Sequence, residues 1–321
     1  MEYNTLFVNK YKPIYFKDFF IDKETILILK EFLTMDSLNI MLIGNVASGK
    51  TSLLNSIIRE YYIGYLPKDY EDNVLFINSL KEQGINYYRN DVKTFCQTCS
   101  SIPNRKKIVV LDDLDLINEQ SQQVFRNCID KYSHNVYFIS SCYNKQKIIE
   151  SLQSRFTIIK INSTQKSTLT YVFNQIKNKE NIDIDLSAEN YIINVANNTI
   201  KILINYMEKF KLFGKPITYE LANKLCTNIS FITLEEFTLL IKTGKLKEAI
   251  KIIYNIFDKG YSVMDILDNY FLFIKNTSIL TEDEKYKIIS IICKYITIFH
   301  DIHEDEIELA LFTNNLIACI T

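Results

Sequence analysis

The sequence has little of several residue types that mark particular classes of protein. Its 321 residues include 7 Gly, 4 Pro and no Trp, and 37 Lys and Arg nearly balance 38 Asp and Glu. The resulting net charge of −1 excludes a protein that binds nucleic acid by global charge alone. With 47% hydrophobic and 23% charged residues, the composition is that of a folded globular protein.

Long apolar runs are also missing. Uncharged stretches such as Ile288 to Cys293 are far shorter than the roughly 20 residues that cross a bilayer. The N-terminus carries Glu2, Lys10 and Lys12 without an apolar signal core, unlike a secretory signal peptide. We therefore expect a soluble, intracellular protein.

The seven cysteines are an odd number spread along the chain, which argues against a disulfide framework. Cys96 and Cys99 form a CxxC pair. Two interpretations stay open: neighbouring thiols near a helix end, or half of a zinc or redox site. No second CxxC or nearby His completes the four ligands of a zinc site.

The first half of the chain alternates short apolar runs with polar, helix-like segments, which predicts a parallel sheet flanked by helices. The predicted strands are Asn39–Ile43, Val74–Ile77, Lys107–Leu111, Val136–Ser140 and Thr157–Ile161. From Ser163 onward, apolar residues recur at three- and four-residue spacing, which predicts helices. Breaks in this pattern place domain boundaries near residues 162 and 227.

Two of the few glycines, Gly44 and Gly49, stand at the spacing of a phosphate-binding loop. Gly44 to Thr51 reads GNVASGKT and follows the apolar run from Ile40. In such a loop, backbone N–H groups cradle the phosphates, Lys50 reaches the β- and γ-phosphates, and the Thr51 hydroxyl is a ligand of Mg²⁺. The alternative is a chance match in a glycine-containing turn.

An acidic cluster follows a second buried strand, where α/β folds place ligand chemistry. Val109, Val110 and Leu111 lead directly into Asp112 and Asp113, a Walker B arrangement. Asp112 would bind Mg²⁺ through water, and Asp113 would orient or deprotonate the attacking water. Alone, such a cluster could be a solvated turn. About 60 residues after a phosphate-binding loop, it predicts the Walker B part of a nucleoside triphosphate site.

Taken together, these motifs resemble the small subunits of the replication factor C clamp loader, which are AAA+ ATPases. The resemblance runs from about Phe7 to Asn205. Its segments are Phe7–Pro13 (family WxxKYRP), Gln83–Lys93 (RGIDVVRxxIK), Asn118–Arg126 (the helix after Walker B) and Lys147–Phe156 (KIIEPLQSRC). It implies an AAA+ P-loop domain over residues 1–162, a helical lid over 163–227 and an all-helical C-terminal collar for oligomerisation over 228–321.

The resemblance implies ATP and Mg²⁺ as cofactors and assigns site residues. Lys50, Asp113 and Arg155 would be catalytic, and Thr51 and Asp112 would hold the metal. The nucleotide-binding residues would be Gly44, Asn45, Val46, Ala47, Ser48, Gly49, Lys50, Thr51, Ser52, Tyr11, Lys12, Pro13, Asn144 and Lys201. Tyr11, Lys12 and Pro13 belong to the family motif that lies against the adenine.

Arg155 corresponds to the family's arginine finger, which enters the ATP site of the neighbouring subunit. There a guanidinium stabilises transition-state charge, an effect on the order of 10³–10⁵ in rate in related NTPases. Arg126 corresponds to another family arginine near the subunit junction. For each arginine the alternative is a surface ion pair, which contributes little to stability.

Three departures from the family pattern concern turnover. Asp113 replaces the usual Glu and is one methylene shorter; a misplacement of about 1 Å can cost on the order of 10²-fold in rate. Tyr143 falls on the sensor 1 Asn, with Asn144 one position later. Lys201 replaces the sensor 2 Arg and lacks its planar fork. These departures predict retained nucleotide binding and slow hydrolysis at this chain's own site.

The family contacts DNA through the amino ends of helices that line a spiral of subunits and recognises backbone shape. Gly84 and Ile85 stand at such a helix start, and Arg89 and Lys93, four residues apart, would share one face. These four residues are the predicted DNA contacts. A solvated helix face explains the two cations equally well.

The leading hypothesis is a subunit of a hetero-pentameric clamp loader that opens a PCNA-type sliding clamp at primer–template DNA, in a nucleus or at a viral replication site. One alternative is a structural subunit that binds ATP and donates Arg155 but hydrolyses little. Another is an AAA+ initiator or helicase loader, although residues 229–321 show helices without the hairpin of a winged helix. A metabolic P-loop kinase would not need the Ser154-Arg155 motif.

Overall fold

The computed structural model describes residues 6–78, 85–162, 164–226, 228–301 and 303–320. These residues form two compact units. The first comprises the described residues within Met1–Ile176 and Asn198–Glu208, and the second those within Lys177–Asn197 and Lys209–Thr321. The boundaries near 162 and 227 stay predictions.

A five-stranded parallel sheet lies at the centre of the first unit. Its strands are β1 (Ile40–Gly44), β2 (Val74–Asn78), β3 (Lys107–Asp112), β4 (Val136–Cys142) and β5 (Thr157–Ile161). Their order across the sheet is β2-β3-β4-β1-β5. The three central strands are almost continuously apolar because both of their faces are buried.

Helices cover both faces of this sheet. Up to the end of the sheet they are α1 (Phe7–Lys10), α2 (Lys23–Thr34), α3 (Lys50–Tyr61), α4 (Pro67–Tyr70), α5 (Ile85–Gln97), α6 (Glu119–Tyr132) and α7 (Glu150–Gln153). Leu29 of α2 and Leu53 of α3 share one core with Leu42 of β1. On the other face, α5 and α6 form a second core with alternate residues of the same strands, as the period of two in a strand requires.

The remainder of the described chain is helical. The helices are α8 (Lys166–Glu180), α9 (Leu186–Val195), α10 (Ile200–Phe213), α11 (Tyr219–Leu225), α12 (Phe231–Lys242), α13 (Leu246–Phe257), α14 (Val263–Asn276), α15 (Glu282–Asp301) and α16 (Ile307–Ile320). Phe237, Tyr270 and Phe312 lie in the core that α12 to α16 share. The predicted fold class, an α/β P-loop domain followed by helical domains, is confirmed.

Local chemistry explains where these helices begin and end. At the start of α14, the Ser262 hydroxyl accepts from the Asp265 N–H at 3.0 Å and the Asp265 carboxylate accepts from the Ser262 N–H at 3.3 Å, which is a capping box. Gly244 follows α12 with a φ of +71°, the left-handed backbone that commonly ends a helix. None of the helices in the described ranges combines the length and apolarity needed to cross a bilayer.

Candidate nucleotide-binding site

The GNVASGKT loop connects the carboxyl end of β1 to the first turn of α3. Two glycines shape it. Gly49 has a φ of +90°, and a Cβ on Gly44 would lie 2.8 Å from the Ile161 carbonyl oxygen and 2.9 Å from the Ser48 hydroxyl. Because α3 begins at Lys50, its unpaired N–H groups and the positive end of its dipole face the loop. This arrangement suits an anionic ligand.

Lys50 is 8% exposed, and its ammonium is held inside the loop. It donates to the carbonyl oxygens of Gly44 at 3.0 Å and Asn45 at 2.9 Å. These bonds compensate the burial of the charge. A phosphate oxygen that enters the loop would compete for the same ammonium protons, so the lysine is placed to exchange two neutral acceptors for an anionic one.

Two hydroxyl groups hold the Asp112 carboxylate at the end of β3. Thr51 Oγ1 donates to Asp112 Oδ2 at 2.8 Å, and Ser141 Oγ, from β4, donates to Asp112 Oδ1 at 2.6 Å. Asp112 is 8% exposed, and such charge-assisted bonds are what allow a carboxylate to be buried. The predicted metal residues Thr51 and Asp112 are therefore in contact.

Asp113 has the left-handed backbone that is rare for a residue with a side chain, with φ 54° and ψ 55°. Its N–H donates to the Ser141 hydroxyl at 3.0 Å. Burial raises the pKa of Asp113 above its ordinary value, and the Asp112 charge raises it further, while Lys50 acts in the opposite direction. A raised pKa next to a phosphate-binding loop is typical of a functional carboxylate.

The oxygen atoms at this point fit a Mg²⁺ ion. Mg²⁺ prefers oxygen ligands and is usually bound by one or two protein groups together with water and phosphate oxygens. The Thr51 hydroxyl and the Asp112 carboxylate supply such groups. Within the described ranges, no cluster of three or more His, Cys, Asp or Glu side chains is arranged to hold a metal ion.

The segment after β4, where the sensor 1 residue is predicted, is fixed by Asp115. Its carboxylate accepts from the backbone N–H groups of Tyr143 at 3.3 Å and Asn144 at 3.0 Å. The Tyr143 side chain is 48% exposed. The Asn144 side-chain oxygen accepts from the Gln146 N–H at 2.9 Å and so caps a short 3₁₀ helix.

Gln122 of α6 connects the regions on either side of the site. Its amide nitrogen donates to the carbonyl oxygens of Ile117 at 2.9 Å and Lys147 at 3.0 Å, and its oxygen accepts from the Ile149 N–H at 3.0 Å. The side chain is 1% exposed. It therefore links α6, the turn after the acidic cluster and the segment that leads into α7.

Arg155, just beyond α7, is paired within its own chain. Its Nε and one Nη donate to the two carboxylate oxygens of Asp130 at 2.9 and 3.2 Å, and its other Nη donates to the Ser151 carbonyl at 2.7 Å and to the Ser154 hydroxyl at 2.8 Å. The hydrogen bonds from Arg155 lower the pKa of Asp130. Arg126 Nε lies 3.5 Å from the same carboxylate. The two predicted junction arginines thus share one counter-charge.

The predicted adenine and sensor 2 residues lie on other elements. Tyr11, Lys12 and Pro13 follow α1, which is anchored where the Phe7 N–H donates to the Glu208 carboxylate of α10 at 3.2 Å. Lys201 is exposed in the first turn of α10. Their roles toward a nucleotide stay predictions.

The predicted DNA contacts lie on and before α5. Arg89 and Lys93 are exposed, whereas Tyr88 and Val92 are buried on the side that faces the sheet. Ile85 is the first residue of the helix. Gly84 lies outside the described residues.

The cysteine pair near the end of α5 does not form a shared site. Cys96 is buried and Cys99 is exposed, and all seven cysteines are free thiols. Burial raises the pKa of Cys96 to about 12, which makes it a poor thiolate. The structure therefore supports neighbouring thiols near a helix end.

Four residues that organise the site were not found from the sequence: Ser141, Asp115, Gln122 and Asp130. Ser140 and Ser141 near the end of an apolar strand signal that a polar partner lies nearby, but nothing local tells which of the two serines contacts the acids. Asp130 and Gln122 act through tertiary contacts and had no local signal.

Two family profiles match the chain. The profile of the ATPase family associated with various cellular activities (AAA) matches residues 40–163, which include the loop, the acidic strand and Arg155. That of the replication factor C C-terminal domain matches residues 233–296 in the helical part. The chain therefore carries an AAA ATPase domain and a replication factor C C-terminal domain.

The relatives described next align with most of the length of this chain. The replication factor C small subunit of Methanococcus maripaludis is 28% identical over 89% of this chain and 90% of its own. The replication factor C subunit 4 of Oryza sativa is 26% identical over 85% of this chain and 81% of its own. Among solved structures, the RuvB Holliday junction branch migration motor of Thermotoga maritima has a TM-score of 0.54, 13% identity and coverage of 73% and 80%. That likeness concerns the fold alone.

We predict that Gly44→Ala weakens both the loop and nucleotide binding. The added Cβ would lie 2.8 Å from a backbone oxygen, so the loop has to shift; overpacking of this kind costs about 1–3 kcal/mol. Ile63→Ala is the control, because Ile63 is 61% exposed and lies outside the loop. Thermal denaturation and ATP titration of the full chain measure both effects, and equal behaviour of the two variants would contradict the prediction.

Proposed function

We propose that this chain is a clamp-loader subunit that uses ATP to load a sliding clamp onto primer–template DNA during replication. The match of a replication factor C C-terminal domain on the same chain as an AAA nucleotide-binding domain carries this proposal. The proposed partners are other clamp-loader subunits, in a hetero-pentamer, a PCNA-type clamp and DNA. The proposed place of action is a nucleus or a viral replication site.

In this proposal ATP binds at Gly44 to Ser52. Lys50 leaves the Gly44 and Asn45 carbonyl oxygens for phosphate oxygens, and the first N–H groups of α3 bind the phosphates. Thr51 and Asp112 hold Mg²⁺, which when bound neutralises charge on the phosphate oxygens. Tyr11, Lys12 and Pro13 contact the adenine. Asn144 and Lys201 contact the γ-phosphate.

Asp113 is the proposed group that orients the attacking water. It can accept a proton from that water only when it is ionised, and burial together with Asp112 disfavours the ionised form. The positive charge of Lys50 has the opposite effect.

Arg155 is the proposed contribution of this chain to a neighbouring site. In the isolated chain it binds Asp130 through both carboxylate oxygens, so its guanidinium is oriented before any partner arrives. Ser154, next to it in the chain, accepts one further bond. Upon assembly, the γ-phosphate of an ATP in the neighbour's site would replace some of these hydrogen-bond acceptors. The guanidinium would then stabilise transition-state charge during hydrolysis.

DNA is proposed to contact the start of α5. Gly84 and Ile85 would offer backbone N–H groups, and Arg89 and Lys93, both exposed, would bind phosphates. Such contacts position the duplex and carry no sequence information.

A second candidate function is a structural subunit that binds ATP but turns it over slowly. The observation that favours it is the sensor 1 position, where Tyr143 is 48% exposed and the Asn144 side-chain oxygen accepts from the Gln146 N–H. Asp113 is shorter than the Glu of the family, and Lys201 lacks the planar fork of the family's Arg. Both differences also favour slow turnover. Arg155 would then be the main catalytic group of this chain.

Turnover at the chain's own site separates the two candidates. We expect Asp113→Ala to lower the steady-state ATPase rate of the reconstituted complex by the part that this chain's own site contributes, because the attacking water loses its orienting group. Glu119→Ala, an exposed change in the first turn of α6, is the control. A rate equal to that of the control would favour the structural subunit.

For Arg155→Ala we expect normal ATP binding by the isolated chain but a hydrolysis rate at the neighbour's site lower by more than about 100-fold, since transition-state charge loses its guanidinium. Single-turnover hydrolysis in the assembled complex measures this loss. Lys131→Ala removes an exposed cation from α6 and serves as control. An unchanged single-turnover rate would refute the role in trans.

Assembly itself is tested by co-purification from the native source. We expect this chain to be recovered with other AAA+ subunits and a clamp, and the complex to show ATPase activity that DNA and clamp stimulate. Recovery only as a free monomer without stimulated ATPase would contradict the clamp-loader proposal.

A further inference from the structure

Ser141 places a buried hydroxyl next to both acids of the site. The residue is 0% exposed within β4, among apolar side chains. Its Oγ donates to Asp112 Oδ1 at 2.6 Å and accepts from the Asp113 N–H at 3.0 Å. Most buried hydroxyls have partners of this kind, and here one hydroxyl serves two consecutive residues of the acidic cluster.

The preceding residue, Ser140, provides an internal comparison. It is also 0% exposed, but its hydroxyl has no hydrogen-bond partner within the described part of the chain. Successive side chains of a strand point to opposite faces of the sheet. Ser140 therefore does not form the bridge between Asp112 and Asp113, although it lies in the same strand. The bridge requires a hydroxyl at position 141.

The strand order explains why position 141 can do this. β4 lies between β3, which ends in Asp112, and β1, which leads into the phosphate-binding loop. In register, Ser141 pairs with Leu42 of β1, and Ser140 pairs with Leu111 of β3. The carboxyl end of β4 thus lies between the two strands that carry the loop and the acids.

The backbone of Asp113 gives the second bond its importance. A left-handed conformation is unfavourable for a residue with a side chain, and Asp113 has φ 54°. The bond from its N–H to Ser141 is formed in this conformation. The Ser141 hydroxyl is thus bonded to the turn from which the Asp113 carboxylate leaves the backbone.

We propose that Ser141 is a positioning residue of the Mg²⁺–triphosphate site, which orients Asp112 toward the metal and fixes the turn that presents Asp113. The inference rests on the function proposed for these two acids. It extends that function by naming the group that couples metal binding to the placement of the water-orienting carboxylate.

Nucleotide binding at this site has two parts that depend on different groups. The first part is phosphate binding by Lys50 and by the backbone N–H groups of the loop. None of the hydrogen bonds of Lys50 described above involves Ser141. Removal of the Ser141 hydroxyl should therefore leave metal-free nucleotide binding intact. It should weaken every step that needs Mg²⁺, because hydrogen-bond partners of metal ligands typically contribute 10–100-fold to metal affinity or activity.

The test compares Ser141→Ala with Ser140→Ala, which removes one buried hydroxyl from the adjacent position. ATP binding by the full chain is measured in EDTA and as a function of Mg²⁺ concentration, and kcat and KM are measured in the reconstituted complex. For Ser141→Ala we expect a metal-free Kd within about 2-fold of the wild type, a Mg²⁺ midpoint raised about 10-fold or more, and a kcat lowered about 10–100-fold at similar KM.

Ser140→Ala should match the wild type in all of these quantities. Ser141→Thr, which keeps the hydroxyl, should restore the Mg²⁺ midpoint, and thermal denaturation of each variant reports on folding. A Mg²⁺ midpoint for Ser141→Ala equal to that of Ser140→Ala would overturn the inference. Equal losses with and without Mg²⁺ would also overturn it, because they indicate a merely structural role.

The Mg²⁺ titration measures the contribution of Ser141 to Mg²⁺-dependent binding even in a chain that hydrolyses ATP slowly. Failure of the proposed function has a different signature. A wild-type chain that binds no nucleotide with or without Mg²⁺ would refute the nucleotide site itself, and the inference with it, before any variant is compared.

Discussion

The Asp112 carboxylate is the point on which the arrangement of the nucleotide site depends. It is nearly buried, and hydroxyl groups from α3 and from β4 hold its two oxygens. Removing either hydroxyl would take a charge-assisted hydrogen bond from a buried carboxylate, which is more costly than losing a bond at the surface. The phosphate loop, the acidic strand and the strand between them are thereby constrained by one side chain. Their mutual register in the sheet is part of the chemistry of the site.

A second set of bonds extends this constraint toward the surface. Gln122 joins α6 to the segment before α7 through three hydrogen bonds of a buried amide, and Asp115 fixes the backbone after β4. Both residues act on the same stretch of chain, which connects the carboxyl end of β4 to the helix that precedes Arg155. A displacement at the acidic cluster therefore cannot be accommodated by side-chain rotation alone; it has to move a hydrogen-bonded loop.

The sequence predicted the sheet and the loop well because their signals are local. Each predicted strand lies within one or two residues of an observed one, since apolar runs bounded by polar residues leave little freedom in a parallel sheet. Lys50 and Thr51 were found from spacing, and Asp112 from its place after a strand. Ser141 and Gln122 were missed because their partners are distant in sequence and only the strand order brings them together. The left-handed turn at Asp113 was missed as well, because nothing local in an Asp-Asp pair requires it.

The pairing of Arg155 with Asp130 has a consequence for how assembly depends on ionic strength. If Arg155 enters a neighbour's site, it exchanges one anion for another, so the number of ion pairs stays constant while the subunits associate. Because one ion pair replaces another, much of the Coulomb energy cancels between the free and assembled states, and salt weakens the exposed Arg155–Asp130 pair of the free chain. Arg155 then adds little to the strength of association. Its proposed contribution would be discrimination, because a neighbour would have to present an anion with more charge than a single carboxylate to draw the guanidinium away from Asp130.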